Sequence, residues 1–579
     1  MNSIRTAKRF LFPLIGLWIL LYASFSLLAP PLLDGPDSVR AEAAREMAVH
    51  NDWVLPTVNG QRVLPTSPLL LWGTAVSFRI FTVTDWAARL PIAFYALALF
   101  LLMLALGARL FLNPVAGFYA ALILLTSAGI FLFSHLIFPQ ILSTLWITLA
   151  MYFFWRSLRH KHASLGTAIG FAVACALGVL SRGPQGVVIP ILIVVLFLAI
   201  TRNLPHMLRW HPVEGVIVFL LITLPWHVAV RGADRLLSRY FMASPGHHNA
   251  PLLLVWAFLL LWTLPWCFFS VAALARRPEH LPAYSKQMDP SHQARLLLVL
   301  WLVVEAAFAA FTPRHEPSIL PALPALALLA AGWMAADELA PGRVGKAFAW
   351  VFLIGGVCGA AASVYFAVSA PFVASGTDIG PLLNLHPGQH HLFFGALDDL
   401  TRASMGAFRI PLLIAAAALL AGTIGNLIFR LTAKARMANC FLAGMMVALL
   451  VAGHIALNTF SPAISSAVLA QAIGPEIQSG DVVVVNGRFV DASALSFYLQ
   501  RTVKVLRPPK NERDLAAFKA SGTWEEPSEL ASQWSGARRV FLWTTTDSAP
   551  PLPGPSYLIA RTGGREILSN QPNAGGASF

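Results

Sequence analysis

The sequence predicts a multi-pass α-helical membrane protein of about thirteen spans that carries a small soluble α/β domain at its C-terminal end. Three observations carry that prediction. Apolar runs of roughly twenty residues, the length a helix needs to cross a bilayer, recur from the N-terminus to residue 459. The polar breaks between them alternate between Arg/Lys-rich stretches and stretches that hold most of the loop carboxylates. Beyond residue 460 the long apolar runs stop and short β-rich stretches begin. Hydrophobic residues make up 57% of the 579 and charged residues only 12%, a balance that excludes an ordinary soluble enzyme.

The basic start MNSIRTAKRF leads into an apolar run to Leu33. That run is too long for a signal-peptide core, and Ala-Pro-Pro-Leu-Leu-Asp is a poor cleavage site, so it reads as a retained first span over 10–31. Further spans are expected near 90–111, 114–133, 138–155, 165–181, 186–201, 213–230, 252–274, 295–311, 318–336, 345–369, 408–429 and 438–459. The apolar segment 66–84 reads as well as a helix lying on the membrane surface as a crossing one. With the N-terminus in the cytoplasm, the basic breaks at 156–161, 202–209, 276–295, 343–346 and 430–436 fall inside. The loops 32–89, 181–184, 231–251, 312–317 and 370–407 then fall outside, in the periplasm if this is a bacterial inner membrane. An odd number of spans places the C-terminal segment outside with them.

Two domains follow: a membrane domain over 1–460, whose first outer loop is 32–89, and an outer α/β domain over 461–579. In the second, GDVVVVNG, TVKVL and RRVFLWTT read as strands, and ASALSFYLQ and ERDLAAFKA as helices. The net charge of +14 is scattered among loops rather than gathered in a patch, so nucleic acid is not an expected partner, whereas membrane lipids are. The four cysteines lie in or beside apolar runs without a CxxC spacing and read as small apolar residues.

The densest charge in the chain lies in LLDGPDSVRAEAAREM, residues 32–47, at the exit of the first span. Charge there must sit in water or line a polar cavity. Asp34 and Asp37 are candidates to take a proton from an acceptor hydroxyl. The bland reading is an interfacial helix with an apolar face of Val39, Ala43, Ala44 and Met47, capped by one of these aspartates. A second cluster is Thr312-Pro313-Arg314-His315-Glu316-Pro317, where Arg314 is suited to a phosphate held at the membrane surface. Arg182, in the turn SRGP, and Arg40 are the next candidates for that phosphate. Glu42, His247, His248 and His315 are candidate substrate contacts. His247 and His248 are adjacent, with no carboxylate at ligand-like spacing, so they read as loop histidines rather than a metal pair.

Taken together, DSVRAEAAREM, NDWVLPTVNG, DWAARLP, SRGPQGVVIP, LPWHVAV, RHEPSILPALPALALL and VNGRFVDASALSFYLQ resemble, in order and over nearly the whole chain, the bacterial GT-C glycosyltransferases of the aminoarabinose transferase and protein O-mannosyltransferase branch. The resemblance implies thirteen spans, an outer C-terminal α/β domain and transfer of a sugar from a polyprenyl-phosphate donor to a lipid, glycan or protein acceptor. It implies an inverting reaction, with Asp37 or Asp34 as base and Arg314, Arg182 and Arg40 on the donor phosphate. The sequence also departs from the family pattern. Pro36 and Asp37 stand at the family's Asp-Glu pair, Pro65-Thr66-Ser67 replaces its Glu-Lys-Pro, and Gln140 replaces an Asp at the start of the fourth span. The carboxylate support for a divalent metal is therefore missing, and no cofactor is expected with certainty. A silent homologue that binds lipid-linked sugars, or a lipid-sugar transporter, is the alternative function.

The charge asymmetry makes a topology prediction. A reporter active only in the cytoplasm gives signal when fused after Arg436 and none when fused after Ser461; the reverse pattern overturns the orientation.

Overall fold

The computed structural model describes residues 2–64, 67–159, 164–231, 252–275, 289–311, 316–374, 377–383, 399–507, 516, 518–546 and 548–572. Among these residues ten helices are long and apolar enough to cross a membrane. Two more candidates are bent pairs: Pro114–Leu125 with Ala128–Ser134, turned by 56°, and Trp256–Trp262 with Cys267–Ala275, turned by 115°. The remaining expected span is the shorter apolar helix Gln185–Ile200. Every expected run is helical, but length and composition support ten to twelve spans rather than about thirteen. One bend has a visible cause. Thr126 Oγ1 donates to Leu122 O at 2.7 Å and Ser127 Oγ to Ile123 O at 2.6 Å, side-chain bonds that compete with the helical ladder and bend it.

The first span, Arg9–Leu27, is tied to its neighbours by buried polar tips. Trp18 Nε1 donates to Ala93 O at 2.8 Å and the Tyr22 hydroxyl to Leu125 O at 2.8 Å. The 66–84 segment forms the helix Pro68–Phe81, whose fourteen residues rise only about 21 Å. That is short of a bilayer core, and it packs against the helix Asp85–Leu110.

The helix α1 (Pro36–His50) departs most from expectation. An interfacial helix would leave one polar face open, yet Asp37, Ser38, Arg40, Glu42 and Arg45 are as buried as Val39, Ala43, Ala44 and Met47. Gly35 precedes it at φ +94, a value that side-chain-bearing residues rarely adopt, and Pro36 opens its first turn. The C-terminal domain covers this face at Ser38 and Glu42, and Arg89 with the 135–139 break covers it at Asp37 and Arg40.

That domain begins later than residue 461, because the last span continues as one helix, Ala435–Ile464. Its sheet has five strands: β1 (Val482–Val485), β2 (Lys504–Val505), β3 (Val540–Thr545), β4 (Tyr557–Thr562) and β5 (Arg565–Ser569). Their spatial order is β2-β1-β3-β5-β4. The expected strands are the three parallel ones, with Val482 opposite Val540 and Val484 opposite Lys504. The expected helix at ASALSFYLQ is Ser493–Leu499; most of ERDLAAFKA lies outside the described residues. The antiparallel hairpin β4–β5 was not expected. Its turn, Gly563-Gly564, has both residues at positive φ, as a two-residue hairpin requires.

The first outer loop and this domain are joined by a continuous set of buried hydrogen bonds. Asp34 Oδ2 accepts from Arg565 Nη1 at 2.8 Å and Ser466 Oγ at 2.7 Å, while Oδ1 accepts from Ala494 N at 2.9 Å. Burial pushes the Asp34 carboxyl above its usual range, opposed by the Arg565 charge and these donors. Gly35 N donates to Ser493 Oγ, Leu32 N to the Tyr498 hydroxyl, and that hydroxyl to Asp85 Oδ1 at 2.7 Å. Asn59 exchanges two bonds with the Val503 backbone, at 2.8 and 2.9 Å. The C-terminal domain therefore lies on the same side as the 32–64 loop.

Removing the cation from a buried pair strands the other charge, so Arg565→Ala is expected to cost about 3 kcal/mol. Arg561→Ala, whose ion pair with Glu566 has a half-exposed guanidinium, is expected to cost less than about 1 kcal/mol. Thermal unfolding in detergent separates the two; equal losses remove Asp34–Arg565 as the domain clamp.

Candidate functional site

The site forms at the first turn of α1, just past the first span, beside the break that precedes α2 (Gln140–Arg159). Asp37, in the first turn of α1, is 1% exposed. Its Oδ1 accepts from Ile137 N at 2.7 Å, and its Oδ2 from Leu33 N at 3.1 Å and Arg89 Nη2 at 3.2 Å. Arg89, fully buried, also donates to Pro30 O at 2.7 Å. One carboxylate thus joins the exit of the first span, α1, the start of Asp85–Leu110 and the 135–139 break.

Three residues along α1, Arg40 donates Nη1 to Ile137 O at 2.9 Å and stacks on the Phe138 ring, 4.6 Å from guanidinium carbon to ring centre. Its Nε has no partner among the described residues. Burial pushes its pKa down to about 10 with the Asp37 charge pulling it back, so the side chain stays charged at neutral pH. Alongside, the Gln140 Oε1 and Ser143 Oγ at the start of α2 are buried and without partners among the described residues. The Glu42 carboxylate is engaged instead, in a two-point pair with Arg45 at 2.8 and 2.9 Å and with Ser496 Oγ at 3.4 Å.

From this end α2 crosses away, and α3 (Leu165–Arg182) returns to bring Arg182 to the same side as Arg40. Arg182 Nη2 donates to Ser318 Oγ at 3.2 Å, on the 3-10 turn Glu316–Ala322 that packs against α2, and Nη1 is buried without a partner among the described residues. Close to it is Glu305, 3% exposed, on α4 (Pro290–Phe311), with Oε1 likewise unpartnered among the described residues. Neither Glu305 nor Arg89 was among the sequence candidates. A lone glutamate inside the run WLVVEAAF was the available signal for the first. Arg89, buried against Asp37, carried no signal beyond its place in DWAARLP.

Of the candidates, the structure brings Asp37 and Arg40 together and places Arg182 beside the turn packed on α2. Asp34 and Glu42 belong to the interface with the C-terminal domain. Arg314, His315, His247 and His248 lie outside the described residues. Among the described residues no group of three or more His, Cys, Asp or Glu side chains is placed to hold a metal ion.

This architecture is shared. The crystal structure of ArnT from Cupriavidus metallidurans bound to undecaprenyl phosphate is similar with a TM-score of 0.75, covering 97% of this chain and 98% of that one at 20% identity. The same protein in the apo state gives 0.76 over 99% of each chain, also at 20% identity. The fold is that of the GT-C membrane proteins. Residues 33–232 match the family model described as dolichyl-phosphate-mannose-protein mannosyltransferase. The undecaprenyl phosphate-alpha-4-amino-4-deoxy-L-arabinose arabinosyl transferase of Shewanella sediminis is 30% identical over 323 residues, 52% of this chain and 56% of the relative. That of Aeromonas salmonicida is 28% identical over 427 residues, 69% and 75% of the respective chains. The chain is similar to these arabinosyl transferases over part of its length, and its match to the Shewanella relative spans little more than half of that relative.

Proposed function

We propose that the protein is a membrane glycosyltransferase that moves a sugar from a polyprenyl-phosphate donor, undecaprenyl phosphate in its relatives' names, to a lipid, glycan or protein acceptor at the outer face of the inner membrane. The observation that carries this reading is that the buried guanidiniums of Arg40 and Arg182, like the Nε of Arg89 behind them, keep N–H groups without partners among the described residues at one end of the helix bundle. A buried N–H without an acceptor costs free energy until a ligand supplies one. A phosphate matches the guanidinium fork with two parallel bonds.

The leaving group of such a donor is a phosphate, already a stable anion, so acid assistance is unnecessary. What the site must supply is charge neutralisation as the sugar–oxygen bond breaks. Arg182 is proposed to hold the phosphate directly, with Arg40 second. Just past the Arg182-Gly183-Pro184 turn, Val187, Val188, Ile191, Leu192 and Val195 line an open, wholly aliphatic hollow. It is suited to the first isoprene units of a carrier whose phosphate sits at Arg182.

Asp37 fits a positioning role better than that of a base. Two backbone N–H groups and a guanidinium already occupy its two oxygens, so neither is turned toward an acceptor hydroxyl. Its proposed task is to fix the first turn of α1, and with it Arg40. Asp34 is proposed to act only through the docked domain.

The test is turnover of a purified protein with an undecaprenyl-phosphate sugar. Arg182→Ala is expected to weaken donor binding by about 1.5–3 kcal/mol, the worth of a hydrogen bond to a charged group, and Arg182→Lys to recover only part of it. Unchanged binding in Arg182→Ala moves the phosphate elsewhere. Wild-type protein that binds the donor and never turns it over favours the silent homologue.

A further inference from the structure

Gln140 and Ser143, in the first turn of α2, keep polar atoms that their neighbours on the same helix use up. Thr144 Oγ1 donates to Gln140 O at 2.7 Å and Thr148 Oγ1 to Thr144 O at 2.6 Å, so both hydroxyls are closed on the helix itself. Ser143 N donates to Pro139 O at 3.0 Å, yet its Oγ has no partner among the described residues. Neither has Gln140 Oε1. Ser143 is fully buried and Gln140 is 8% exposed. Three apart on a helix, the two side chains share one face, with Cβ atoms roughly 5–6 Å apart.

Both proposed phosphate-holding arginines are anchored at this helix. Gln140 is the third residue past Ile137, whose carbonyl accepts from Arg40 Nη1 at 2.9 Å. The turn Glu316–Ala322, whose Ser318 Oγ accepts from Arg182 Nη2 at 3.2 Å, packs against α2. A buried carboxamide oxygen and a buried hydroxyl without partners cost free energy until a ligand supplies them. Hydroxyl groups suit both. A hydroxyl donates to the carboxamide oxygen, and its own oxygen accepts from Ser143 or from the Arg40 Nε. An ammonium only donates, and it would meet the Arg40 charge while Asp37 and Glu42 are already held by their own partners. We propose that Gln140 and Ser143 read the hydroxyl groups of the donor's sugar, and that this sugar is neutral rather than amine-bearing. The inference rests on the donor reading above, since the phosphate is what brings a sugar to α2.

The experiment measures binding to the full-length protein in nanodiscs and needs no turnover. The probes are bare undecaprenyl phosphate, the same carrier bearing glucose, galactose or mannose, and the 4-amino-4-deoxy counterpart of each. Each affinity is read as a ratio to that of the bare carrier. In the wild type at least one neutral sugar is expected to raise affinity about tenfold, the worth of one or two hydrogen bonds, and its amino counterpart to raise it less. Ser143→Ala and Gln140→Leu are expected to bring that gain toward unity. Gln140→Glu, which puts a carboxylate at the same place, is expected to turn the preference toward the amine. Melting temperatures confirm that the variants are folded. If no neutral sugar adds affinity in the wild type, if the amino counterpart binds better, or if the gain survives in both Gln140→Leu and Ser143→Ala, the proposal is overturned. If the bare carrier itself is not bound, the donor reading fails and takes this one with it.

Discussion

The buried carboxylate of Asp37 is the constraint on which the rest of the site depends. Four chain segments meet at its two oxygens: the exit of the first span through Leu33 N, α1 itself, the Asp85–Leu110 span through Arg89, and the break before α2 through Ile137 N. Each of these segments alone has a polar group to bury at the edge of an apolar bundle. Meeting at one anion, they satisfy one another. Such a network is worth more than its separate bonds because a single deletion leaves several buried donors without an acceptor. Arg40 inherits its place from this arrangement, since its own backbone carbonyl partner is Ile137 O, next to the N–H that Asp37 holds.

A second constraint works in parallel. The polar side of α1 would be unstable against lipid, and the C-terminal domain supplies part of its cover. Asp34 is held by Arg565 from β5, by Ser466 just past the last span and by the start of the Ser493–Leu499 helix. Residues more than four hundred positions apart therefore fix one loop. The soluble domain is thus part of the site's architecture rather than an appendage. The charges of residues 34–46 are divided: Asp34 and, through Ser496, Glu42 face the soluble domain, Asp37 and Arg40 face the bundle, and Arg45 pairs with Glu42 and Glu46 on its own helix.

The bundle was legible in the sequence because long apolar runs and Arg/Lys placement follow directly from the bilayer as a solvent. The three parallel strands were legible because buried strands such as VVVV read as short apolar runs bounded by turns. The β4–β5 hairpin was missed although Gly563-Gly564 marked its turn, since the strand Tyr557–Thr562 is only half buried and its buried residues do not alternate with exposed ones. For the site, residue types at the first span's exit marked a cluster that the structure buries, and left the partners of each residue unread. Asp34, Asp37 and Glu42 looked alike in sequence; only their partners, at Arg565, Ile137 and Arg45, tell clamp, anchor and local pair apart. Those partners, Arg45 apart, are distant in the chain, and no local pattern encodes them. The match to curated relatives and of the whole fold to solved structures concerns the scaffold, while the departure at Gln140 falls at the site's edge, at the start of α2.

The most direct test is the stability and turnover of Asp37→Asn measured together. A carboxamide keeps the shape but turns one acceptor into a donor, and donors face both oxygens here: Ile137 N on one side, Leu33 N and Arg89 on the other. The anchor account predicts a loss of about 2–4 kcal/mol in folding stability, with turnover falling alongside and the remaining activity keeping the wild-type pH profile. An unchanged melting temperature together with a loss of turnover of about a hundredfold or more would contradict it, and would return Asp37 to the role of proton acceptor.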